Sequence, residues 1–199
     1  GGKRVRRFTL HIRKEGDAVH SYTRFLSPVD VAGTQLVVVD SPGQEDPHLL
    51  YLPALKRVQR ISGKAQSKSF MGSDFSYADL EVKLDGEEEH TLLEDNEQWW
   101  IIQTIPTSGS YGKWISHISK SDSIPRKVEY FDRKGEPLKT LSIEQVREEE
   151  GISIPTHSEM RHHQKGTATI LRIEEIRLNV PEEELPLRMF TATHMEQSE

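Results

Sequence analysis

Apolar and polar residues alternate with a period of two along most of the chain, a pattern typical of half-buried β-strands. In the segment RVRRFTLHIRK, Phe8, Leu10 and Ile12 point to one side while the residues between them point to the other. Further strands are predicted in AVHSYTRFLSP, GTQLVVVD, PHLLYLP, EVKLDG, HTLLED, EQWWIIQTIP, GKWISHISK, RKVEYFD and LKTLSIEQV. The pattern therefore predicts a mainly β protein with one large, strongly curved antiparallel sheet.

The remaining segments predict few helices. GTATILRIEEIRLNV changes phase at Glu174-Glu175, where a β-bulge would restore the alternation. SYADLE has a capping-box-like pair, Ser76 and Asp79, and PEEELPLRMF places Pro181 at a favourable first helical position. THSEMRHHQ is interpreted as a polar loop between strands. Little helix is thus available to cover the sheet.

The composition of the chain excludes several classes of protein. The 199 residues carry a net charge of −6, which argues against a general nucleic-acid binder. The absence of cysteine excludes disulfides, thiolate metal sites and cysteine catalysis, and no apolar run reaches the roughly 18–20 residues of a membrane span. We expect residues 1–199 to form a single domain. Because the chain starts with Gly1-Gly2 and lacks an initiator Met, we interpret it as a fragment from which any signal peptide has been removed.

Three strings carry a family resemblance: YLPALKRVQRISG, then SFMGSDFSYADLE, and later IPTSGSYGKWISHISKSDSIPRKVEYFDRKGEPLKTL. They occur in the order, and largely with the residues, of the LolA-like outer membrane lipoprotein-sorting family of bacterial periplasmic proteins, which this chain resembles over most of residues 24–195. The resemblance implies an open half-barrel made of one antiparallel sheet and covered by a few short helices, as in LolA and LolB. It also implies that the signal peptide and the N-terminal helix of the family are missing here.

The same resemblance implies a function in outer membrane biogenesis. Members of the family carry lipoprotein acyl chains or another lipid through the periplasm towards the outer membrane, without a cofactor, often beside inner-membrane transporters of the resistance-nodulation-division or ABC type. We therefore expect a lipid-binding transport protein and no enzyme.

A half-barrel exposes a concave apolar face that must be covered, because a large bare apolar patch is uncommon on a soluble monomer. The best candidates for a lid over that face are Phe70, Met71, Phe75, Tyr77 and Leu80, since methionine and aromatic side chains adapt to varied shapes. The alternative is that they are ordinary core residues of a short capped helix. The two interpretations share their contacts and differ in whether the segment opens.

The most apolar strand supplies candidates for the lipid cavity itself. Trp99, Trp100 and Ile102 lie on it, and Trp114 lies on the next strand. Because neighbouring residues of a strand face opposite sides, at most one of Trp99 and Trp100 can line the cavity. The sequence does not say which, and plain packing within the sheet remains an alternative.

A basic run without acids extends from residue 56 to 68. Lys56, Arg57 and Arg60 are candidates for contact with anionic lipid head groups or with an acidic transporter surface. The alternative is a solvated strand edge, where positive charge discourages aggregation.

Two rival sites are weaker. His157, Met160, His162 and His163 lie close together in sequence and include possible copper ligands, but they form no recognisable ligand set, so no metal site is predicted. Asp74, in the tripeptide Gly-Ser-Asp, is better explained as a turn residue than as part of a catalytic motif, and Asp79 as a helix cap. The chain lacks the common nucleotide, hydrolase and zinc-protease motifs.

A non-enzymatic alternative also remains open. The protein could be a periplasmic adaptor that docks a membrane transporter through an exposed edge strand and carries no lipid. Such an adaptor would have a concavity filled by its own side chains, whereas a carrier would have a continuous apolar cavity.

Overall fold

The described strands are all antiparallel and form two sheets. The structure is a computed structural model, and it describes residues 2–41, 48–80, 88–107 and 109–198. The first sheet has the order β1-β2-β3-β4-β5 and comprises β1 (Arg7–Glu15), β2 (Ala18–Ser27), β3 (Gln35–Asp40), β4 (His48–Leu52) and β5 (Arg57–Ile61). The second sheet runs in order from β12 to β6 and comprises β6 (Glu89–Asp95), β7 (Trp99–Ile105), β8 (Tyr111–Ser119), β9 (Pro125–Asp132), β10 (Pro137–Glu149), β11 (Ile152–His162) and β12 (Thr167–Arg172).

The predicted class, mainly β and antiparallel with few short helices, is confirmed. The prediction of one continuous sheet needs a correction, because the strands that the structure describes pair in two separate ladders. Between β5 and the second sheet, the described residues 62–80 form 3₁₀ turns and one isolated bridge, from Ser69 to Ser76. The predicted strand EVKLDG falls on residues 81–86, which lie outside the described residues.

The chain divides into two compact units. One contains the first sheet, a short segment that begins at Tyr77, and the C-terminal residues from Val180 onwards. The other contains Ser67–Ser76 and the second sheet up to Asn179.

The first unit builds its core between the first sheet and the C-terminal residues. Tyr22, Val37 and Tyr51 pack with Phe190 and Met195, all of them buried. Phe190 ends a 3₁₀ turn, Leu187–Phe190, and Met195 lies in the α-helix α1, Ala192–Gln197. The hydroxyl of Thr191 caps α1 by accepting the backbone N–H of His194 at 3.2 Å.

The helix predictions are partly wrong. Pro181 starts a turn rather than a helix, and the helical residues of the C-terminal segment begin six residues later. SYADLE forms only one 3₁₀ turn, Ala78–Leu80, and its last residue lies outside the described residues. In both places the helix signals were too short to specify more than one or two turns.

Two predictions in the second sheet are wrong as well. Residues 156–162 of the predicted polar loop instead belong to β11, so their polar side chains lie within the sheet. The strand β12 ends at Arg172, so the phase change after it marks the end of pairing and not a bulge at Glu174-Glu175. The register instead shifts around Gln145, where β10 meets Pro155 of β11, a residue without an N–H to donate.

Candidate functional site

One face of the second sheet holds most of its buried side chains, and we call it the buried face. Directly opposed residues on neighbouring strands share a face, so the pairing register assigns each side chain. One row across this face, the apolar row, consists of Leu92, Ile102, Ser116, Val128, Leu141, Met160 and Thr169. Met160 is 1% exposed, whereas Ile102 and Leu141 are half-buried and Leu92 on the edge strand is exposed. The row therefore runs from a closed interior to an open edge.

A second row lies beside the first and is more polar. This polar row consists of His90, Thr104, Trp114, Tyr130, Lys139, His162 and Thr167. A ring nitrogen of His90 lies 2.9 Å from the hydroxyl oxygen of Thr104. Trp114 and Tyr130 form an aromatic cluster with Tyr111, whose ring centroid lies 4.8 Å from that of Tyr130. Along each strand, the apolar row and the polar row are two residues apart. The buried face therefore changes over that distance from mainly apolar to aromatic and polar side chains.

The structure decides which tryptophan belongs to this face. Trp100 is paired with Ile118 and shares the buried face with Ile102 and Trp114. Trp99 points to the opposite face, where it lines a cavity of about 460 Å³ with Glu97, Gln98, Ser119, Lys120 and Ser121. Of the four strand residues proposed from the sequence to line a lipid cavity, Trp100, Ile102 and Trp114 therefore share the buried face. Trp99 does not.

The opposite face of the second sheet is rich in ion pairs. His117 contacts Glu129 at 3.1 Å, and Lys127 contacts the same carboxylate at 2.8 Å. Arg161 and Glu159 pair further along at 2.6 Å. We call this the ion-paired face, and its charge is typical of a solvated surface.

The segment Ser67–Ser76 is a compact loop attached to the second sheet. Its backbone closes through an N–H from Phe70 to the carbonyl of Phe75 at 2.7 Å. Met71 and Gly72 both have left-handed backbone, with φ of 49° and 71°. Phe70 is buried and Met71 and Phe75 are half-buried, so three of the five proposed lid residues lie together in this loop.

Asp74 fastens this loop to β12. Its carboxylate accepts the hydroxyls of Thr167 and Thr169, at 2.5 and 2.8 Å, and its backbone N–H donates to the hydroxyl of Thr169 at 2.9 Å. The side chain is buried. Asp74 is therefore an anchor for the loop, and the interpretation as a simple turn residue understates its contacts.

The other two proposed lid residues belong to the first unit. Tyr77 is buried, and burial raises the pKa of its phenol. Leu80 ends the 3₁₀ turn Ala78–Leu80 and is half-buried.

The proposed basic contacts lie at the β5 edge of the first sheet. Lys56, Arg57 and Arg60 are all exposed, and Lys56 has left-handed backbone, with φ of 47°. Arg57 pairs with Leu52 and Arg60 with Leu49, which places the two arginines on opposite faces of the strand. They do not form one basic face.

The histidines near the end of β11 do not converge either. His157 faces Glu144 at 3.4 Å on the ion-paired face, whereas Met160 and His162 lie on the buried face. His163 lies just beyond β11, with a ring nitrogen 2.8 Å from the hydroxyl of Thr140. In the part of the chain that the structure describes, no three His, Cys, Asp or Glu side chains are grouped as metal ligands would be.

Sequence reasoning missed the polar end of the buried face. Lys139 and His162 are paired neighbours there and are 7% and 6% exposed. A signal was present, because Lys139 stands in the same phase as Leu141 and Ile143, where an apolar residue is expected. A lysine in the inward phase of a strand needs an explanation, since lysine is rarely buried.

Comparisons with known proteins agree with this fold. A family model described as an uncharacterized protein matches residues 17–197. A crystal structure described as an outer membrane lipoprotein-sorting protein domain, from Vibrio parahaemolyticus, is 32% identical with a TM-score of 0.85 over 96% of this chain and 83% of that one. A DUF1329 family protein from Desulfovibrio piger is 25% identical with a TM-score of 0.87, over the same shares of the two chains. No curated protein sequence matches.

The fold also matches a LolA superfamily protein from Nitrosomonas europaea, which is 18% identical with a TM-score of 0.68 over 89% of this chain and 80% of that one. The fold is thus that of a mainly β, LolA-like protein. The chain belongs to the LolA-like outer membrane lipoprotein-sorting family, as its sequence strings predicted. In the described residues, no helix combines the length and the apolar character that crossing a bilayer demands.

Proposed function

We propose that this protein is a periplasmic carrier that binds lipoprotein acyl chains or another lipid along the apolar row and moves them towards the outer membrane. The observation that carries the proposal is the buried face itself, where the apolar row, with its half-buried Ile102 and Leu141, lies beside the aromatic and polar row. An acyl lipid likewise has an apolar chain next to a polar head group. The description of the Vibrio relative as a lipoprotein-sorting domain supports this choice of ligand.

The energetics suit a reversible carrier. Each methylene that leaves water contributes about 0.8 kcal/mol, so a dozen methylenes supply roughly 10 kcal/mol before the costs of ordering. The half-buried state of Ile102 and Leu141 leaves contact area for a ligand to cover. Binding and release need no covalent step and no cofactor, and we propose no catalytic activity.

The loop Ser67–Ser76 is the proposed lid. Its left-handed residues Met71 and Gly72 provide a tight corner, and a non-glycine residue in that conformation stores roughly 1–2 kcal/mol. Opening would exchange the contacts of Phe70 and Phe75 for contacts with the ligand. Ordinary core packing would leave this loop closed in the presence of lipid.

The orientation of the two adjacent tryptophans provides the test. We predict that dibrominated stearic acid quenches the fluorescence of a variant that retains only Trp100 (W99F/W114F) and spares one that retains only Trp99 (W100F/W114F). A bromine atom quenches on contact, and only Trp100 shares the buried face with Ile102. Unbrominated stearic acid is the control for indirect effects.

Equal quenching of the two variants would contradict binding along the buried face. Absence of quenching in both, with no uptake of the unbrominated acid, would contradict carriage of acyl chains by this chain.

A second function has a specific observation in its favour. Edge strand β1 exposes Phe8, Leu10 and Ile12 on one face, at 36%, 50% and 53% of their surface. Such an edge suits addition of a strand from a transporter of the inner membrane. This adaptor function would require Leu10 for association with membrane vesicles and would leave Trp100 unquenched by the brominated acid. Lys56, Arg57 and Arg60 would contribute head-group or partner contacts in either function.

A further inference from the structure

The polar end of the buried face contains a small cavity. Its volume is about 180 Å³, below the roughly 300–1,000 Å³ of sites for drug-sized ligands. It is lined by Ser67, Ser69, Ser73, Asp74, Phe75, Ser76, Ser110, Tyr111, Leu138, Lys139, His162 and Lys165. All of these residues belong to the second unit, and five of them are serines. The cavity is therefore a polar site for a group of a few atoms.

The charge of the lining is positive. Lys139 and Lys165 bring two ammonium groups to the cavity, against one carboxylate from Asp74. The ammonium of Lys139 donates to the phenol oxygen of Tyr111 at 3.0 Å and lies 5.5 Å from the centre of its ring. Lys139 is therefore a buried residue of the cavity lining, whereas Lys165 is an exposed one.

The single carboxylate is already engaged. Both oxygens of Asp74 accept hydroxyls of β12, from Thr167 and Thr169. Asp74 keeps its negative charge, but both of its oxygens are already held by β12. An incoming anion would therefore meet two ammonium groups against one carboxylate.

His162 adds a buried polar group to the lining of the cavity. The side chain is 6% exposed, lines the cavity, and its Nδ1 is buried without a hydrogen-bond partner. A buried polar atom left without a partner costs about 1–3 kcal/mol, so most buried polar atoms in folded proteins have one. A ligand that accepts or donates a hydrogen bond at this position would remove the cost.

We propose that this cavity binds a phosphate-type oxoanion, held by Lys139 and Lys165 together with His162 and the serine-rich loop. Charge-assisted hydrogen bonds from ammonium groups, supplemented by hydroxyl donors, are the usual means of binding such a group. The evidence for this site is the cavity and its lining, which do not depend on the carrier function. Because it lies at the polar row, beside the apolar row, the oxoanion would be a lipid head-group phosphate if the proposed carrier function holds.

Titration calorimetry with inorganic phosphate and with dihexanoyl phosphatidylglycerol tests this site, at an ionic strength matched with chloride. We expect Lys139→Met to weaken binding of the phosphate group at least about tenfold, as the loss of a charge-assisted hydrogen bond predicts. Lys134→Met, in the exposed hairpin turn that follows β9, is the matched control and should change the affinity less than about twofold. If Lys139→Met fails to fold, Lys165→Met at the exposed rim gives the same comparison.

The two ligands separate the possible sources. Binding of both, with the same loss in Lys139→Met, assigns the phosphate group as the recognised element. Binding of the phospholipid alone assigns a lipid head group, and binding of inorganic phosphate alone supports the site while it removes support for lipid carriage. The absence of binding by either ligand at millimolar concentration, or an equal effect of the Lys139 and Lys134 variants, would overturn the proposal.

The pH dependence gives a second readout. Burial lowers the pKa of His162, and Lys165, Lys139 and His163 lower it further, while Asp74 acts in the opposite direction. A bound anion favours the imidazolium form, so sulfate, which does not titrate in this range, should bind more tightly as the pH falls from about 8 towards 6. His162→Gln should abolish this slope, and a slope retained in that variant would exclude His162 from the site.

Discussion

At the scale of single residues, the second sheet depends on one close approach of backbone to backbone. Gly112 lies at a register shift between β8 and β9. A Cβ atom at this position would overlap the carbonyl oxygen of Asp132 and lie 3.0 Å from the Cα of Arg133. Only glycine fits, because the obstructing atoms are backbone and cannot rotate away.

We predict that Gly112→Ala lowers the free energy of unfolding by roughly 1–3 kcal/mol, the usual cost of forcing atoms into a packed site. Urea denaturation measures the change. Gly135→Ala is the control, since a Cβ there meets nothing within 4 Å and the cost comes only from its φ of 85°. A smaller loss for Gly112→Ala than for Gly135→Ala would show that the hairpin adjusts without strain.

The sequence predicted a local turn of the second sheet but not its cavity. The hairpin turn at Arg133–Glu136 was predictable, and Asp132 supports it by accepting the backbone N–H groups of Lys134 and Glu136, at 2.9 and 3.0 Å. The cavity was not, because Asp74 and Lys139 are far apart in sequence and meet the same cavity only through the pairing of β10, β11 and β12. Lys139 in an apolar phase was the one local signal.

At the scale of elements, the C-terminal helix α1 shows how a short element is fixed by tertiary contact. Six residues are too few to form a stable helix alone. The helix is held because Met195 is 0% exposed and its carbonyl accepts the side-chain amide of Gln35 at 3.0 Å, while Gln35 accepts the hydroxyl of Tyr22 at 2.8 Å. Because these contacts are distant in sequence, the local sequence did not predict α1. The long strands were predictable because their alternation of apolar and polar residues is local.

We expect Met195→Ala to lower the free energy of unfolding by about 2–5 kcal/mol, because it removes a fully buried side chain and leaves a cavity. Leu187→Ala, at a side chain that is 40% exposed, is the matched control and should cost less than about 1 kcal/mol. Denaturation midpoints in urea compare the two variants. Similar midpoints for both would mean that α1 does not contribute to the core of the first unit.

At the scale of the whole molecule, the alternation of the sequence predicted the class, and its strings predicted the family. The division of the described strands into two sheets could not be predicted, because a period of two does not say which strands pair with each other. The arrangement of the apolar and polar rows also follows from register, which a period of two leaves undetermined between strands. Binding of an acyl chain along the apolar row would involve several strands of the second sheet.

The most direct test is mass spectrometry of the organic extract from protein purified without detergent, with Ile102→Asp and Ile101→Asp compared side by side. The two residues are neighbours in β7 and both are half-buried, but only Ile102 lies on the buried face. We predict acyl lipid in near-stoichiometric amounts with the unmodified protein and with Ile101→Asp, and its loss from Ile102→Asp, with circular dichroism as the check on folding. An unmodified protein that carries no acyl lipid and takes up none when it is added, or folded variants that lose lipid equally, would contradict binding of acyl chains along the buried face.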